Sequence, residues 1–307
     1  MAACNPFDFA LCDLVSCEDF AAIHELTSLC FKSKDYLKNF PQVFKPQNAG
    51  YFFSIKDDAG KLTCFCSIYP TYFISSSTLL TGYCIGSVCT HPDYRNKGLA
   101  SQVLALAEAK AKLNQGDFAY LFSAPNKMYE KSGFQLCGQT VLAEFGLKTA
   151  QKLKTKYFNC KINIVQNLNA EDMDKIWSFI VCNSKPSESI LSFLEFKDII
   201  QTKNMKIVYL THNQQLCSVC FLNKGDDFEN VIHGIYYLNV DYAIVLIKDL
   251  FLKEGRKKLY FFPGAFFEDF SHLFNYKLLP AMYVKILNNS FTLDNISKIF
   301  VRSIQGT

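Results

Sequence analysis

The sequence predicts an α/β fold built on a mixed sheet, present in two consecutive copies. An antiparallel hairpin is predicted at residues 51–56 and 62–69, around the turn Asp-Asp-Ala-Gly at 57–60. A strand at 82–90, a long helix and a strand at 118–122 then follow, and this order implies a parallel pair of strands joined by a crossover helix. A similar order of elements recurs in the second half of the chain.

The segment before the hairpin is predicted to contribute one strand and one helix. Residues 7–15 are predicted to form an apolar strand, and Ser16 with Asp19 can cap a helix that is predicted to continue to residue 31. Apolar residues recur along this helix at helical spacing and predict its buried face: Phe20, Ile23, Leu26 and Cys30.

The crossover helix is predicted to run from about residue 98 to residue 114 and to end at Gln115-Gly116. Its inward stripe is predicted to comprise Leu99, Val103, Leu106 and Ala107.

The second half is predicted to repeat this organisation. Strands are predicted at 162–168, 205–211, 216–222, 231–238 and 258–262, and helices at 169–180 and 242–254. A Lys-rich connection at 147–157 separates the copies, so the predicted domains are residues 1–150 and 151–307.

The composition argues against two classes of protein, those that bind nucleic acid and those that span a membrane. The chain has 307 residues, half of them hydrophobic, and a net charge of only +4, which argues against a nucleic-acid partner. No apolar run is long enough to cross a bilayer, and the N-terminal residues lack the pattern of a signal peptide, so we expect a cytoplasmic protein without a membrane partner.

The thirteen cysteines are scattered, mostly in apolar surroundings, and are expected to be buried thiols in a reducing compartment. Cys217 and Cys220 have the spacing of a zinc-ligand pair, but no second pair or histidine couple completes a site. We therefore expect no metal.

The most informative stretch runs from residue 88 to residue 100. An apolar strand enters a turn containing Pro92, and Arg95-x-x-Gly98-x-Ala100 then opens the long helix. The first amides of a helix have no intrahelical partner, and the helix dipole adds partial positive charge there. Small residues at 98 and 100 allow a phosphate to approach the backbone, so this pattern predicts a phosphate site.

A second motif lies downstream, at Asn126-x-x-Tyr129-x-x-x-Gly133-Phe134. It predicts a short helix, with Pro125 near its start and Gly133 at its end.

Together, the two motifs resemble those of the GNAT family of acyl-CoA-dependent N-acetyltransferases. The stretch around Arg95 matches the family's acetyl-CoA pyrophosphate motif, and the stretch around Tyr129 matches the motif around its usual general acid. The resemblance covers roughly the first half of the chain. It implies a GNAT fold, a tandem arrangement with a degenerate second copy, and two strands that splay apart to admit the pantetheine arm of the co-substrate.

The resemblance also implies the site residues for transfer of an acetyl group from acetyl-CoA to an amine in a ternary complex. The expected diphosphate-binding residues are Arg95, Asn96, Lys97, Gly98, Leu99, Ala100 and Ser101. The pantetheine arm is expected to pair with the strand at Val88, Cys89 and Thr90, with an amide near Val88 as the oxyanion donor.

Within the second motif, Tyr129 is the expected general acid, while Asn126 either contacts the pantetheine or caps its own helix.

Several points stay open at the level of sequence. The strand before the phosphate motif carries no carboxylate, so the general base is undetermined. The candidates are a water held by Ser87 or Tyr83, a side chain of the first helix (His24 or Glu25), and the carboxylate of Thr307.

The acceptor, the acyl chain length and the oligomeric state are also open. The alternative function is a non-catalytic acyl-CoA-binding sensor or an interaction protein that uses the GNAT fold. Aromatic residues after the first helix could border the acceptor or simply pack in the core: Phe40, Phe44, Tyr51, Phe52 and Phe53.

In the second half, Asn239-Val240-Asp241-Tyr242 replaces the phosphate motif, and Asp241 would repel a diphosphate. The segment 267–276 is expected to take the place of the Tyr129 helix. We therefore expect a degenerate copy that packs against the first and walls the acceptor pocket.

Overall fold

A computed structural model describes residues 17–75, 77–153, 159–226, 228–255 and 257–302, together with residue 305. The first half contains α1 (Cys17–Phe31), β1 (Phe52–Lys56), β2 (Leu62–Ser75), β3 (Thr78–Thr90), α2 (Leu99–Leu113), β4 (Phe118–Leu121), α3 (Lys127–Lys131), β5 (Gln135–Gly146) and α4 (Leu147–Lys152). The second half contains β6 (Lys161–Val165), α5 (Ala170–Cys182), α6 (Phe193–Ile199), β7 (Lys206–His212), β8 (Gln215–Leu222), β9 (Val231–Tyr237), α7 (Val240–Lys253), β10 (Lys258–Phe262), α8 (Phe267–Phe270), β11 (Asn275–Ile286) and α9 (Leu293–Ser297).

These strands form one continuous mixed sheet in the order β1-β2-β3-β4-β11-β5-β10-β9-β8-β7-β6. Within each half, antiparallel strands lead to one parallel pair, β3 with β4 and β9 with β10, and a helix connects the members of each pair. The sheet class and the order of elements therefore agree with the mixed α/β fold predicted from the sequence.

The last strands of the two halves are exchanged at the centre of the sheet. Strand β11 of the second half pairs with β4 of the first, whereas β5 of the first half pairs with β10 of the second. The two exchanged strands also pair with each other along most of their length, from Asn275↔Glu144 to Val284↔Gln135. Backbone hydrogen bonds therefore connect the two predicted domains throughout the middle of the molecule.

Helices cover both faces of the first half. Alternation along β2 separates two clusters, because Cys64 and Cys66 face α2 whereas Phe65 faces α1. The buried residues of α2 are Val103, Leu104, Ala107 and Ala111, so Leu104 replaces the predicted Leu106, which is only half-buried.

Several elements differ from the sequence prediction. The predicted connection at 147–157 begins with helix α4, and β5, β11, α6 and α9 were not predicted. The predicted strand at 7–15 and its cap Ser16 lie outside the described residues, as do the predicted linker residues 154–158.

No helix in the described ranges is long and apolar enough to cross a membrane. Cys217 and Cys220 are both buried on β8, and the described residues contain no group of His, Cys, Asp and Glu side chains that could hold a metal ion.

Candidate functional site

The parallel strands β3 and β4 separate at the centre of the first half. Their pairing covers only Gly82↔Phe118, Tyr83↔Ala119 and Cys84↔Tyr120. Strand β3 nevertheless continues to Thr90, so its last residues have no ladder with β4. A gap therefore opens beside Gly86–Val88, at the end of the sheet nearest to the start of α2.

A β-bulge shapes β3 at this gap. The register with β2 shifts between Phe65↔Cys89 and Ser67↔Gly86, and Ser87 takes a positive φ of 57°. The Ser87 hydroxyl lies 3.1 Å from the hydroxyl of Tyr36, which comes from the segment after α1. The bulge therefore turns the backbone of residues 86–88 out of regular pairing.

The loop from β3 to α2 presents backbone amides at the surface. The His91 ring caps a short 3₁₀ turn at Pro92–Tyr94 by accepting from the amide of Asp93. Asn96 and Gly98 then take positive φ values of 62° and 77°, and Gly98 is the N-cap of α2 without a side chain to satisfy the first-turn amides. A Cβ at Gly98 would meet no atom within 4 Å, so open space lies above these amides.

Basic side chains flank this helix start. The Nε of Arg95 donates to the carbonyl of Thr90 at 3.3 Å, which holds the exposed guanidinium beside the loop. Lys97 lies with its Nζ 4.8 Å from the centre of the Tyr94 ring. Positive charge, the helix dipole and uncapped amides therefore coincide at one exposed position, which suits a phosphate group.

The gap continues into a cavity of about 570 Å³ between the two halves. The first half lines it with Val88, Leu121 and Tyr129, among others, and the second half lines it with residues from β9, from β10 and from the segment after α9. The structure thus brings Val88 and Tyr129, which are distant in sequence, to the same space.

Tyr129 is 8% exposed and packs near Tyr283 of β11, with ring centroids 5.6 Å apart. Burial raises the pKa of its phenol, so the group is protonated at neutral pH. Its neighbour Asn126 is the N-cap of α3, because its side chain accepts from the amide of Met128 at 2.9 Å. The capping alternative for Asn126 is therefore present in this structure.

The other predicted co-substrate residues lie on the loop or at the strand end. Leu99, Ala100 and Ser101 form the first turn of α2. The Cys89 side chain is buried in the cluster under α1, and the Thr90 carbonyl accepts from Arg95 and from the Cys30 thiol at 3.4 Å. Any contact of Cys89 or Thr90 with a ligand would therefore involve other backbone atoms.

Among the predicted base candidates, only Ser87 lines the cavity. Tyr83 faces α2, and neither His24 nor Glu25 contributes to the lining, while Thr307 lies outside the described residues. Among the five aromatic residues that follow α1, Phe40 lines the cavity, and Phe44, Tyr51, Phe52 and Phe53 pack in the clusters around α1 and α2.

Sequence reasoning missed the polar residues that the second half brings to the cavity. Lys224 is 5% exposed, and burial lowers the pKa of its ammonium group to about 7. His233 is 1% exposed, and burial, with a further contribution from Lys224, holds its pKa well below the usual value. Neither residue lies in a recognisable motif.

Two further charged side chains of the cavity, Arg302 and Glu188, form an ion pair with each other. Arg302 donates to the carboxylate of Glu188 at 3.2 Å and to the Tyr236 hydroxyl at 2.7 Å, and all three side chains are buried. Arg302 also donates to the carbonyl of Ser189 at 2.7 Å. This pair fixes the segment after α9 as one wall of the cavity.

The second half repeats the strand separation without the uncapped helix start of the first half. Pairing of β9 with β10 ends at His233↔Phe262, although β9 continues to Tyr237. Helix α7 begins immediately afterwards, and the Asn239 side chain accepts from the amide of Tyr242 at 3.3 Å. Asp241 in the first turn adds negative charge, so this helix start does not suit an anion.

Comparison with known proteins identifies a known domain in the first half of the chain. Residues 13–137 match the model of the acetyltransferase (GNAT) domain. The first half of the chain is therefore similar to a GNAT acetyltransferase domain. Its resemblance to this family, first indicated by the motifs at Arg95 and Tyr129, is thereby confirmed. No curated protein sequence matches the chain.

Solved structures support the GNAT fold over most of the chain. A probable N-acyltransferase from Enterococcus faecalis has a TM-score of 0.66 at 13% identity, covering 89% of this chain and 71% of that one. A GCN5-related N-acetyltransferase from Anabaena variabilis has a TM-score of 0.65 at 12% identity, covering 90% and 72%. The N-myristoyltransferase of Saccharomyces cerevisiae with bound myristoyl-CoA has a TM-score of 0.57 at 11% identity, covering 95% and 88%.

Proposed function

We propose that this GNAT protein is an N-acetyltransferase that moves an acetyl group from acetyl-CoA to a primary amine by direct attack in a ternary complex. One observation carries the proposal: β3 separates from β4 beside the cavity that Val88 and Tyr129 line, and the loop that follows β3 ends at the uncapped amides of Gly98. A long ligand with an anionic end and an acyl end fits this arrangement.

The co-substrate would be held by groups already described. The amides of residues 96–101 and the Arg95 guanidinium would contact the diphosphate, because both are exposed and positively polarised. The pantetheine arm would lie in the gap as an added strand beside β3, and Val88 would supply the backbone contact.

The chemistry would take place inside the cavity. An amide of the bulge near Val88 would donate to the oxyanion that develops on the thioester carbonyl, which is worth about 3 kcal/mol of barrier for one such donor. The Tyr129 phenol would protonate the departing thiolate, since burial keeps it protonated at neutral pH.

We further propose that the second half is a degenerate GNAT copy that walls the acceptor site. Its elements follow the order of the first half, and it contributes part of the cavity lining. The absence of disulfide bonds among the described cysteines suits the cytoplasmic location that we propose.

Calorimetric titration with acetyl-CoA and with CoA, followed by a thiol-release assay over a panel of primary amines, tests the proposal. We expect one CoA-binding site per chain and amine-dependent release of thiol. Binding without release for every amine would favour the acyl-CoA sensor, and absence of binding would contradict both functions. Replacing acetyl-CoA with longer acyl-CoA thioesters in the same assay determines the donor, because Ile85 and Val88 border a cavity larger than an acetyl group requires.

A further inference from the structure

The amine acceptor poses a proton problem that the residues of the first motif do not solve. A primary amine with a pKa near 10 is mostly an ammonium ion at neutral pH and must lose a proton before it can attack. Strand β3 carries no carboxylate. Among the described residues lining the cavity, the only carboxylate is Glu188, and Arg302 and the amide of Lys185 already engage it.

Lys224 occupies this cavity at a rigidly held position. It follows β8, between Asn223 and Gly225, which both take positive φ values. The amide of Asn223 donates to the carbonyl of Val231 at 2.9 Å, and the amide of Gly225 donates to the carbonyl of Lys203 at 2.8 Å. The backbone on both sides of Lys224 is therefore fixed, and its side chain is directed into the buried space, with Nζ 5.8 Å from the centre of the Phe40 ring.

The surroundings of Lys224 favour the neutral amine. Burial is the main cause of its lowered pKa of about 7, while Cys84 acts weakly in the opposite direction. The other titratable or charged groups around the cavity are His233, Tyr36, Tyr129, Tyr236 and the Glu188–Arg302 pair. His233 is too weak a base near neutral pH because its own pKa lies well below the ordinary value.

We propose that Lys224 is the general base that deprotonates the acceptor amine, an inference that rests on the proposed N-acetyltransferase function. The neutral Nζ of Lys224 takes one proton from the acceptor ammonium and later passes it to solvent. The amine nitrogen then forms a bond to the thioester carbon, and the carbon–sulfur bond breaks as the Tyr129 phenol gives its proton to the departing thiolate. The second proton of the nitrogen passes to the Tyr129 phenolate and restores the phenol. A base with a pKa near the working pH is the efficient choice for this step.

Two variants test the role, with acetyl-CoA and the most active amine from a panel containing benzylamine, putrescine and butylamine. Lys224→Gln removes the basic nitrogen, whereas Lys224→Arg keeps the positive charge but cannot accept a proton near neutral pH. We expect both to lower kcat/KM at pH 7 by about 100-fold, the lower end of the range for general-base catalysis. Lys203→Gln is the matched control, because this partly exposed lysine pairs with Asp226 at 2.8 Å nearby, and we expect it to retain wild-type kcat/KM.

The pH profile separates a base from a structural lysine. In the wild type, log kcat/KM should rise with pH up to about 7 and then level, because only the unprotonated Lys224 is active. In both variants the rise of log kcat/KM up to pH 7 should be absent. Their loss of kcat/KM relative to the wild type should become smaller above pH 9, where the acceptor amine begins to deprotonate without a base. Thermal unfolding and CoA titration of each variant establish that the fold and the co-substrate site are intact.

The outcomes are distinguishable. Two results would overturn the role of Lys224 while leaving the proposed function in place. One is a rise of log kcat/KM up to about pH 7 that is still present in Lys224→Gln, and the other is wild-type activity of Lys224→Arg at pH 7. Absence of thiol release by the wild type with every amine would instead overturn the proposed function, and the role of Lys224 with it.

Discussion

The two halves of the molecule follow the same order of elements but differ at one helix start. In the first half, residues 91–98 form a loop that ends at Gly98, and no side chain caps α2. In the second half, only Leu238 and Asn239 separate β9 from α7, and the Asn239 side chain caps that helix. At a helix start with a side-chain cap, the cap accepts a hydrogen bond from a first-turn amide, and that amide is no longer available to an anion.

This difference shows that the fold and the anion site are separable. Both halves retain the separated pair of parallel strands, yet only the first combines that gap with uncapped amides and basic side chains. The second half contributes polar groups to the shared cavity instead, Lys224 and His233 among them. We expect variants at the two helix starts to have opposite consequences for ligand binding and stability.

The largest effect is expected for Gly98→Glu. A carboxylate beside the diphosphate would add repulsion of a few kcal/mol at the effective dielectric of a protein surface, so we expect acetyl-CoA affinity to fall by at least about 100-fold in calorimetry. Gly98→Ala is the matched control, because it carries the same strain at a φ of 77° without the charge or the bulk. Equal affinity in the Glu and Ala variants would contradict the assigned diphosphate site.

Tyr129→Phe is expected to affect turnover rather than binding. Loss of the phenol proton donor should lower kcat by about 10- to 100-fold, below the upper range for general acids because a thiolate with a pKa near 8.5 leaves readily. The ring would still pack against Tyr283, so acetyl-CoA affinity should be retained. Unchanged kcat in thiol-release kinetics would reduce Tyr129 to a packing role.

Arg95→Ala should weaken acetyl-CoA binding by about tenfold, the equivalent of about 1.4 kcal/mol for one exposed charge-assisted contact. The loss should grow at low ionic strength, since salt screens exposed charges. Lys253→Ala, which removes an equally exposed charge in the last turn of α7, serves as the control and should leave the affinity unchanged. A similar loss of acetyl-CoA affinity in both variants would indicate that the net charge of the protein, and not a local contact of Arg95, is responsible.

The smallest effect is expected for Asn239→Ala in the second half. Loss of this N-cap should lower the free energy of unfolding by about 1 kcal/mol, measured by denaturant titration. Acetyl-CoA affinity and the stoichiometry of one should not change. A change in either would show that the second helix start participates in binding.

The local structure of the two motifs agrees with the elements predicted from the sequence. The loop before α2 and the Tyr129 helix are each formed by residues close together in the chain, so small residues, a proline and the apolar pattern suffice to predict their structure. The buried stripe of α2 differs from the prediction, since Leu104 and Ala111 are buried and the predicted Leu106 is only half-buried.

The long-range features could not be predicted in the same way. Strands β5 and β11 would each satisfy an ordinary apolar pattern within their own half, and nothing local specifies their exchange at the centre of the sheet. Lys224 would be assigned to the surface on composition alone, since lysine is almost never fully buried. Its burial results from residues of both halves, Phe40 among them, that meet only in the folded molecule.

A crystal structure of the protein with bound CoA tests the central claim most directly. We predict one CoA molecule per chain, its diphosphate on the amides of residues 96–101 and its pantetheine arm between β3 and β4 beside Val88. A diphosphate bound elsewhere, at the start of α7 for example, or a pantetheine arm outside the gap would contradict the account.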